Sequence, residues 1–564
     1  VRLGFPPGLD CFRRCRAVKK SFQAEMDGTQ QAISQIVCWC TTIALHQEFG
    51  VGKIRLDRIT DRMNELEEQN TSVIMTPDAN QQPMAQDSKS HEAIFEATNV
   101  KLDFQIVPSS SYDEKKNIAL STQNFPDIIY LRSASDISDF ASEGIFEPLS
   151  QYINEETMPN FYKFWQQYPE MQRYMVDGEM YVFPVVLRDE WANGFGPVIR
   201  TDLLEENGIA TPTTWDEVLD ALAQLKEIYP DSTPWAIRKG TANLLKTTSY
   251  MLGSGFGSVS ASSGMYWDED LGKYVYGPAD TNFKEVLKFL NKAYTTGVLD
   301  QEYATTDSDS MTTKCSSGQS FFFVDNSGFG QNYTNELRKI AGNENATFQV
   351  LPIPENSLGE RRAVSYDTRF GKLYAINANA KNKDQIIKFI DWMYSMEASD
   401  ITNYGIEGET FQYNADGEAE YISDYVMQFK DASPSDYYAC WTDIGAGKLD
   451  FSMYACNIKT QREIQMITGS WSDLTEDYWK IINDDDAYVQ PHIAPSFTTE
   501  EADRVKELTT DLDTFFTQEY DKYITGKESI DNWDALIKKA EDMGVRELEQ
   551  LWNDAEARAV AGTK

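Results

Sequence analysis

After about residue 70 the sequence alternates between short apolar runs and amphipathic segments, and this order limits the fold more than any other feature. Residues 72–76, 100–107 and 126–131 are rich in β-branched and aromatic side chains, as strands are. Residues 88–98 and 112–121 separate them and have helical spacing. The order strand–helix–strand–helix–strand predicts an α/β fold whose sheet is mainly parallel, with helices on both faces.

Open sheets of this kind bind ligands beyond the carboxyl ends of their strands. A loop rich in amides follows the first predicted strand, and a polar loop at 132–135 follows the strand at 126–131. The rule therefore predicts that Asn80, Gln81, Gln82 and Arg132 contact a ligand.

Residues 177–225 predict two strands followed by a helix. An Asp-Gly turn signal precedes an apolar run at 181–187, and a second run lies at 198–199. Thr214 and Glu217 then have the spacing of a capping box, before apolar residues that recur at helical intervals. We expect a strand pair that leads into a helix starting near Thr214.

The chain is strongly acidic, which argues against two kinds of partner. It has 89 Asp and Glu against 51 Lys and Arg, a formal net charge of −38. Nucleic acids and anionic membrane surfaces attract basic proteins, so neither is expected as a partner. With 564 residues the chain exceeds one ordinary core, which predicts two lobes. With three histidines, the chain has few of the side chains that a histidine-based metal centre or a Ser-His-Asp triad needs. We predict no metal, no cofactor and no catalytic residue.

Residues 1–70 differ from the rest of the chain. Four of the seven cysteines lie in the first forty residues, which are also rich in arginine and lysine. The residues before Cys38 and Cys40 do not resemble those that precede a lipobox cysteine. We expect this segment to lie outside the fold, since an upstream or wrong-frame translation would produce such a mismatch. The later cysteines are expected to be buried apolar residues: Cys315, Cys440 and Cys456.

Six segments in a fixed order resemble the family 1 extracellular solute-binding proteins of ABC importers. The segments occupy residues 146–153, 177–217, 289–302, 317–324, 495–505 and 526–534. The last two resemble the larger, lipoprotein-type members that serve oligosaccharide importers. None is as specific as a phosphate-binding loop, but the resemblance covers about residues 71–558. A lipobox, which the family's lipoproteins carry, is not visible.

The resemblance implies a two-lobe fold of the periplasmic-binding-protein type (type II-like), with mixed sheets, flanking helices and a hinge cleft. Residues 71–182 and 350–400 would form the N-terminal lobe, and residues 183–349 and 401–564 the C-terminal lobe. It also implies a non-catalytic monomer on the extracellular face of a bacterial membrane, held there by a lipid anchor. Such a protein captures a carbohydrate, here an oligosaccharide, and delivers it to a membrane permease.

Sugar binding needs flat apolar rings and planar polar side chains. Trp191 offers such a ring among polar neighbours, because it follows the strand at 181–187 in a polar, Gly-bounded loop. We therefore predict ligand contacts from Trp191 and from Arg188, Asp189 and Asn193. For Arg188 and Asp189 the alternative is a salt bridge across the hinge.

Further ligand residues follow other predicted strands or turns. In the maltose-binding members an Asn-Gly turn carries stacking aromatics, and by resemblance Asn326 and Phe329 would occupy it. Arg369 precedes a strand and could bind a hydroxyl or carboxylate. Glu407 lies in a Gly-rich turn, and Trp441 either reaches the cleft or packs in a core.

Several other motifs have a structural interpretation. Trp215 and Trp533 stand at helix starts, where packing explains them. The acidic segments 268–272 and 414–417 lack the spacing of a calcium loop and are predicted to be hairpin turns.

Two alternative functions remain open. One is an extracellular glycoside hydrolase, which would need two carboxylates flanking the scissile bond. Asp189 and Glu190 lie near the expected cleft and could supply them. The other is the same fold with a peptide or another small solute as its ligand.

Overall fold

The structure, a computed structural model, describes residues 71–78, 84, 87–132, 135–188, 194–256, 264–364, 369–433, 435–446 and 451–562. Contacts group Val73–Thr98 and Leu102–Lys564 into one compact unit. The prediction that residues 1–70 are not part of the fold falls outside the described residues.

Fifteen strands are described in this part of the chain. They are β1 Thr71–Asp78, β2 Lys101–Pro108, β3 Ile128–Leu131, β4 Val182–Leu187, β5 Phe195–Arg200, β6 Met265–Asp268, β7 Lys273–Tyr276, β8 Phe322–Asn326, β9 Phe348–Val350, β10 Ala363–Val364, β11 Phe370–Ile376, β12 Phe411–Tyr413, β13 Ala419–Tyr421, β14 Tyr454–Ala455 and β15 Tyr488–Val489.

Helices form most of the C-terminal third. They are α1 Lys89–Thr98, α2 Tyr112–Ser121, α3 Ser135–Phe140, α4 Pro159–Gln167, α5 Thr201–Glu206, α6 Trp215–Ile228, α7 Gly240–Thr248, α8 Phe283–Thr295, α9 Ser308–Ser316, α10 Gly328–Leu337, α11 Lys383–Met393, α12 Met396–Tyr404, α13 Ser423–Val426, α14 Asp436–Ile444, α15 Asn457–Thr468, α16 Asp473–Asp484, α17 Thr499–Ile524, α18 Trp533–Asp542 and α19 Val545–Gly562. Among the described residues, none of these helices has the length and apolar character to cross a membrane.

The largest sheet has six strands in the order β14-β4-β11-β3-β1-β2. Its β1 and β3 run parallel, with Ile74 opposite Ile128. The alternation predicted for residues 72–131 is therefore confirmed, each strand and helix lying within two residues of its expected bounds. β11 runs antiparallel to its neighbours β3 and β4, which makes the sheet mixed. The α/β class is confirmed.

The predicted strand pair in residues 177–225 is wrong. β4 pairs with β11 and β14 in the six-stranded sheet, whereas β5 pairs with β8 and β9 in a separate three-stranded sheet. The two apolar runs are strands, as predicted, but the chain passes from one sheet to the other between them. The helix prediction is confirmed, because Thr214 and Glu217 form a complete capping box at the start of α6.

Two features relate the sheets to the predicted lobes. The edge strand β14 joins the six-stranded sheet, although residues 401–564 were assigned to the other lobe. A separate parallel pair, β10 and β15, aligns Ala363 with Tyr488 and Val364 with Val489. The bounds of the lobes remain a prediction.

A large apolar core packs against the three-stranded sheet. Trp215, Trp235 and Trp533 are almost fully buried in it, and the Trp235 ring meets Phe322 edge-on at 5.2 Å. This confirms that the tryptophans at helix starts are structural. The three cysteines expected to be buried, at positions 315, 440 and 456, are buried thiols. Both acidic segments are hairpin turns, between β6 and β7 and between β12 and β13.

A half-buried carboxyl on α15, that of Glu463, gives this fold a testable pH dependence. Burial raises the pKa of Glu463 to about 7, although the backbone N–H of Tyr421 donates a hydrogen bond to it. Because the folded-state pKa lies above the ordinary value of 4.5, Glu463 contributes full stability below that value and loses it as pH rises through 7.

Glu463→Gln should therefore stabilise the protein at pH 8 by about 2–3 kcal/mol and leave stability at pH 4 unchanged. The amide keeps an oxygen that can accept from Tyr421 but cannot ionise. Urea denaturation at both pH values measures the effect, with Glu227→Gln on the exposed face of α6 as control. An equal gain at pH 4 would contradict the ionisation argument.

Candidate functional site

A cavity of about 630 Å³ lies at the edge of the six-stranded sheet where β3 ends. Arg132 and Ser135, just beyond β3, form part of its lining, together with Phe370–Leu373 at the start of β11. The β6–β7 hairpin, residues 489–495 and the first half of α17 complete it. This is the carboxyl edge of the parallel strands, where open α/β sheets bind their ligands.

Aromatic rings form much of the cavity wall. Trp267 stacks on His492 with ring centroids 4.1 Å apart and planes 7° from parallel. Tyr274 meets the Trp267 ring edge-on at 5.3 Å, and Tyr250 meets Tyr266 edge-on at 5.7 Å. These packed rings give the cavity flat, rigid apolar faces.

The β6–β7 hairpin fixes Trp267 in this position. Trp267 lies directly opposite Tyr274 in the antiparallel register, so both side chains emerge on the same face. Asp268 closes the turn by accepting a hydrogen bond from the backbone N–H of Leu271 at 2.9 Å. At the other end of the chain, Trp552 of α19 packs against Tyr274 at 4.9 Å.

The cavity also contains charged side chains. The Arg132 guanidinium donates hydrogen bonds to Asp113 at 3.0 Å and to the Ser109 hydroxyl at 2.8 Å. Lys506 of α17 pairs with Asp139 of α3 at 3.3 Å. Burial raises the pKa of Asp139, and the neighbouring Lys506 ammonium opposes that rise. The polar part of the site thus includes both cations and carboxylates.

A buried ion pair lies beside the cavity and holds His492 in place. Both Nη atoms of Arg173 donate to the Glu556 carboxylate, at 2.6 and 2.5 Å, and Nη1 also donates to the carbonyl of Ile493 at 3.2 Å. His492 Nε2 lies 3.2 Å from the same carboxylate. Burial alone would raise the pKa of Glu556, but the hydrogen bonds from Arg173 and His492 outweigh it and lower that pKa to about 2.

Three predicted arginines have different surroundings. Arg132 lines the cavity, as the rule of strand ends predicted. Arg188 forms a salt bridge with Asp400 at 2.6 Å and also donates to Ser399. It does not belong to the described lining of the cavity. Arg369 donates to the Tyr168 hydroxyl at 3.3 Å, directly before the cavity residue Phe370. Their contact with a ligand remains a prediction.

Asn326 and Phe329 lie at the end of β8 and the start of α10. The Asn326 side chain accepts a hydrogen bond from the backbone N–H of Gly328 at 2.9 Å. The Phe329 ring packs under the guanidinium of Arg238 at 5.0 Å. Neither residue belongs to the described lining of the cavity.

The other two predicted residues are also outside that lining. Glu407 lies in an exposed turn, beside Glu409, which pairs with Lys89 at 2.7 Å. Trp441 is 1 % exposed and packs against Tyr437 in a separate core, so the packing alternative describes its position. The remaining predicted residues fall outside the described part of the chain: Asn80, Gln81, Gln82, Asp189, Trp191 and Asn193.

The sequence interpretation missed the aromatic wall. The hairpin that carries Trp267 and Tyr274 was predicted, but no ligand role was assigned to it. Tyr266, Trp267 and Tyr274, on either side of an acidic turn, are the signal that could have indicated an aromatic surface. His492 was considered only as a metal ligand or catalytic base.

The chain matches known proteins over most of its length. The sequence profile of a family described as bacterial extracellular solute-binding protein matches residues 76–400, more than half of the chain. The fructooligosaccharide ABC transporter substrate-binding protein FusA of Streptococcus pneumoniae is 23% identical over 506 residues, covering 85% of this chain and 89% of FusA. The polygalacturonan/rhamnogalacturonan-binding protein YtcQ of Bacillus subtilis is 22% identical over 470 residues, covering 82% and 86%.

Solved structures share the fold. The alginate-binding protein AlgQ2 superimposes with a TM-score of 0.67 at 20% identity, covering 86% of this chain and 97% of AlgQ2. The structure of FusA in complex with kestose gives a TM-score of 0.63 at 19% identity, with 87% and 99% covered. The two-lobe solute-binding fold predicted from the sequence is confirmed by these likenesses.

Proposed function

The chain belongs to the bacterial extracellular solute-binding proteins, and from this premise we propose that it captures an oligosaccharide and delivers it to the permease of an ABC importer. The observation that carries the proposal is the cavity beside Trp267, whose stacked and edge-on rings suit the flat C–H faces of sugar rings. The names of FusA and YtcQ, which bind glycans, support the same class of ligand.

Capture would use closure of the two predicted lobes, residues 71–182 with 350–400 and residues 183–349 with 401–564. The short parallel pair β10–β15 suits a hinge, because Val364 and Val489 belong to it and also line the cavity. Bending there would change the width of the cavity and present a different outer surface to the permease.

We also propose that the protein binds its solute without cleaving it and that a lipid anchor holds it at the outer face of the membrane. The family is one of binding proteins, and the related Lipoprotein LipO of Bacillus subtilis is 22% identical over 358 residues. Capture by stacking and hydrogen bonding requires no activated nucleophile. A monomer is sufficient for this role.

Isothermal titration calorimetry against a panel of oligosaccharides and peptides tests the proposal. We expect at least one oligosaccharide to bind and no peptide to bind. Binding of peptides alone would favour the alternative solute. Chromatography of the bound sugar after prolonged incubation should recover it intact, and cleaved products would favour the glycoside hydrolase.

A further inference from the structure

The charge of the cavity lining departs from that of the chain. The chain has 89 acidic residues against 51 Lys and Arg, whereas the described lining contains three cations, Arg132, Lys372 and Lys506, and two carboxylates. Asp139 is paired with Lys506, and Arg132 is paired with Asp113, which lies outside the described lining. Glu269 lies at the exposed end of the β6–β7 hairpin. The described lining thus has one more cation than carboxylates, in a chain whose carboxylates greatly outnumber its cations.

Two of these cations are neighbours at the end of the sheet. Leu131 of β3 is paired with Leu373 of β11 in the antiparallel register. Arg132 follows the first of this pair and Lys372 precedes the second, so both emerge at the same end of adjacent strands. Both also line the cavity.

A β-bulge sets the position of Lys372. Gly371 pairs with Val185 and Leu373 with Pro184, which leaves Lys372 as an extra residue in the strand. Its φ of +33° lies in the left-handed region that lysine seldom adopts. A bulge of this kind bends the strand and changes the direction of a side chain. Here that side chain is Lys372, whose ammonium group belongs to the cavity wall.

We infer that the oligosaccharide is anionic, carrying carboxylate or sulfate groups that Arg132 and Lys372 bind. This inference rests on the proposed function and names the class of its ligand. The aromatic wall would hold the sugar rings, while the two cations form charge-assisted hydrogen bonds with an acidic substituent. Arg132 is held by Asp113 and Ser109, which fixes the direction of its remaining donors.

Calorimetry with three trisaccharides of equal length tests this inference. The probes are a galacturonic acid trisaccharide, its fully methyl-esterified form and a sulfated galactose trisaccharide. We expect an anionic probe to bind at least about tenfold more tightly than the neutral ester, with the difference shrinking at high salt. The two anionic probes distinguish a carboxylate from a sulfate as the group recognised.

Lys372→Met should weaken binding of the preferred anionic trisaccharide about tenfold and leave the affinity for the neutral ester unchanged. Lys527→Met, an exposed lysine outside the described lining, removes the same charge and should alter neither affinity. Arg132→Gln provides a second variant at the same site. It should show the same selective loss of affinity for the anionic probe, and it replaces Lys372→Met in the test if that variant does not fold.

Equal binding of acidic and neutral probes would overturn the inference, as would equal weakening of both by Lys372→Met. If only neutral sugars of the wider panel bind, the proposed function stands and the anionic ligand is wrong. If no oligosaccharide binds, the proposed function itself is wrong.

Discussion

We expect Arg173→Met to lower the free energy of unfolding by about 3–5 kcal/mol, because it leaves a buried carboxylate without its cation. The side chains of Arg173 and Glu556 are only 11% and 8% exposed, and two hydrogen bonds join them. Methionine keeps an unbranched apolar stem in place of the arginine methylenes but is shorter, has no charge and cannot donate. His492 alone would then face the Glu556 charge.

The effect should depend on pH in a defined direction. The pKa of Glu556 is lowered to about 2 in the folded protein, below its ordinary value of 4.5. A carboxyl with a lowered pKa contributes stability above 4.5 and loses it as pH falls toward 2. The difference between wild type and Arg173→Met should therefore shrink on acidification.

Two further variants separate charge from packing. Arg173→Met combined with Glu556→Met removes both charges, and it should recover most of the lost stability. Arg504→Met breaks the exposed pair with Glu547, which joins α17 to α19, and should have little effect because solvent screens that pair. Urea denaturation followed by circular dichroism measures all three variants. An Arg173→Met protein as stable as wild type would contradict the argument.

Local signals explain why much of the fold could be predicted from the sequence. Each element between β1 and β3 is specified by its own residues, and the α6 capping box needs only Thr214 and Glu217. The partners of β4 and β5 have no such signal. They lie in β11, β14, β8 and β9, far away in the chain, so the apolar runs predict strands without predicting which sheet they join.

The site was less predictable for the same reason. Arg132 was identified because a topological rule relates strand ends to ligands, and that rule needs only the order of elements. Trp267 lies on a hairpin whose aromatic residues are visible in the sequence, but the sequence does not show which residues face them. Its place in the cavity depends on His492 and Trp552, which approach it only in the folded chain. The position of Lys372 depends on a β-bulge, which the alternation of apolar and polar residues in the sequence does not reveal.

Trp267→Ala should weaken oligosaccharide binding about 30- to 100-fold, the largest effect expected for any single substitution in the cavity. Its half-buried ring is held rigid by His492 and Tyr274. The side chain of Trp267 would therefore lose little conformational entropy when a sugar stacks on it. Trp267→Phe keeps a smaller flat ring and should show a smaller loss. Calorimetric titration with the best ligand of the panel measures both.

Trp392→Ala is the matched control, because this half-buried tryptophan of α11 lies outside the described lining of the cavity. It should leave affinity unchanged. Thermal denaturation of each variant checks that the fold survives, since part of the Trp267 ring also packs against the core. If Trp267→Ala binds as well as wild type while Trp191→Ala does not bind, stacking takes place at the loop after β4, and the cavity wall is not the sugar platform.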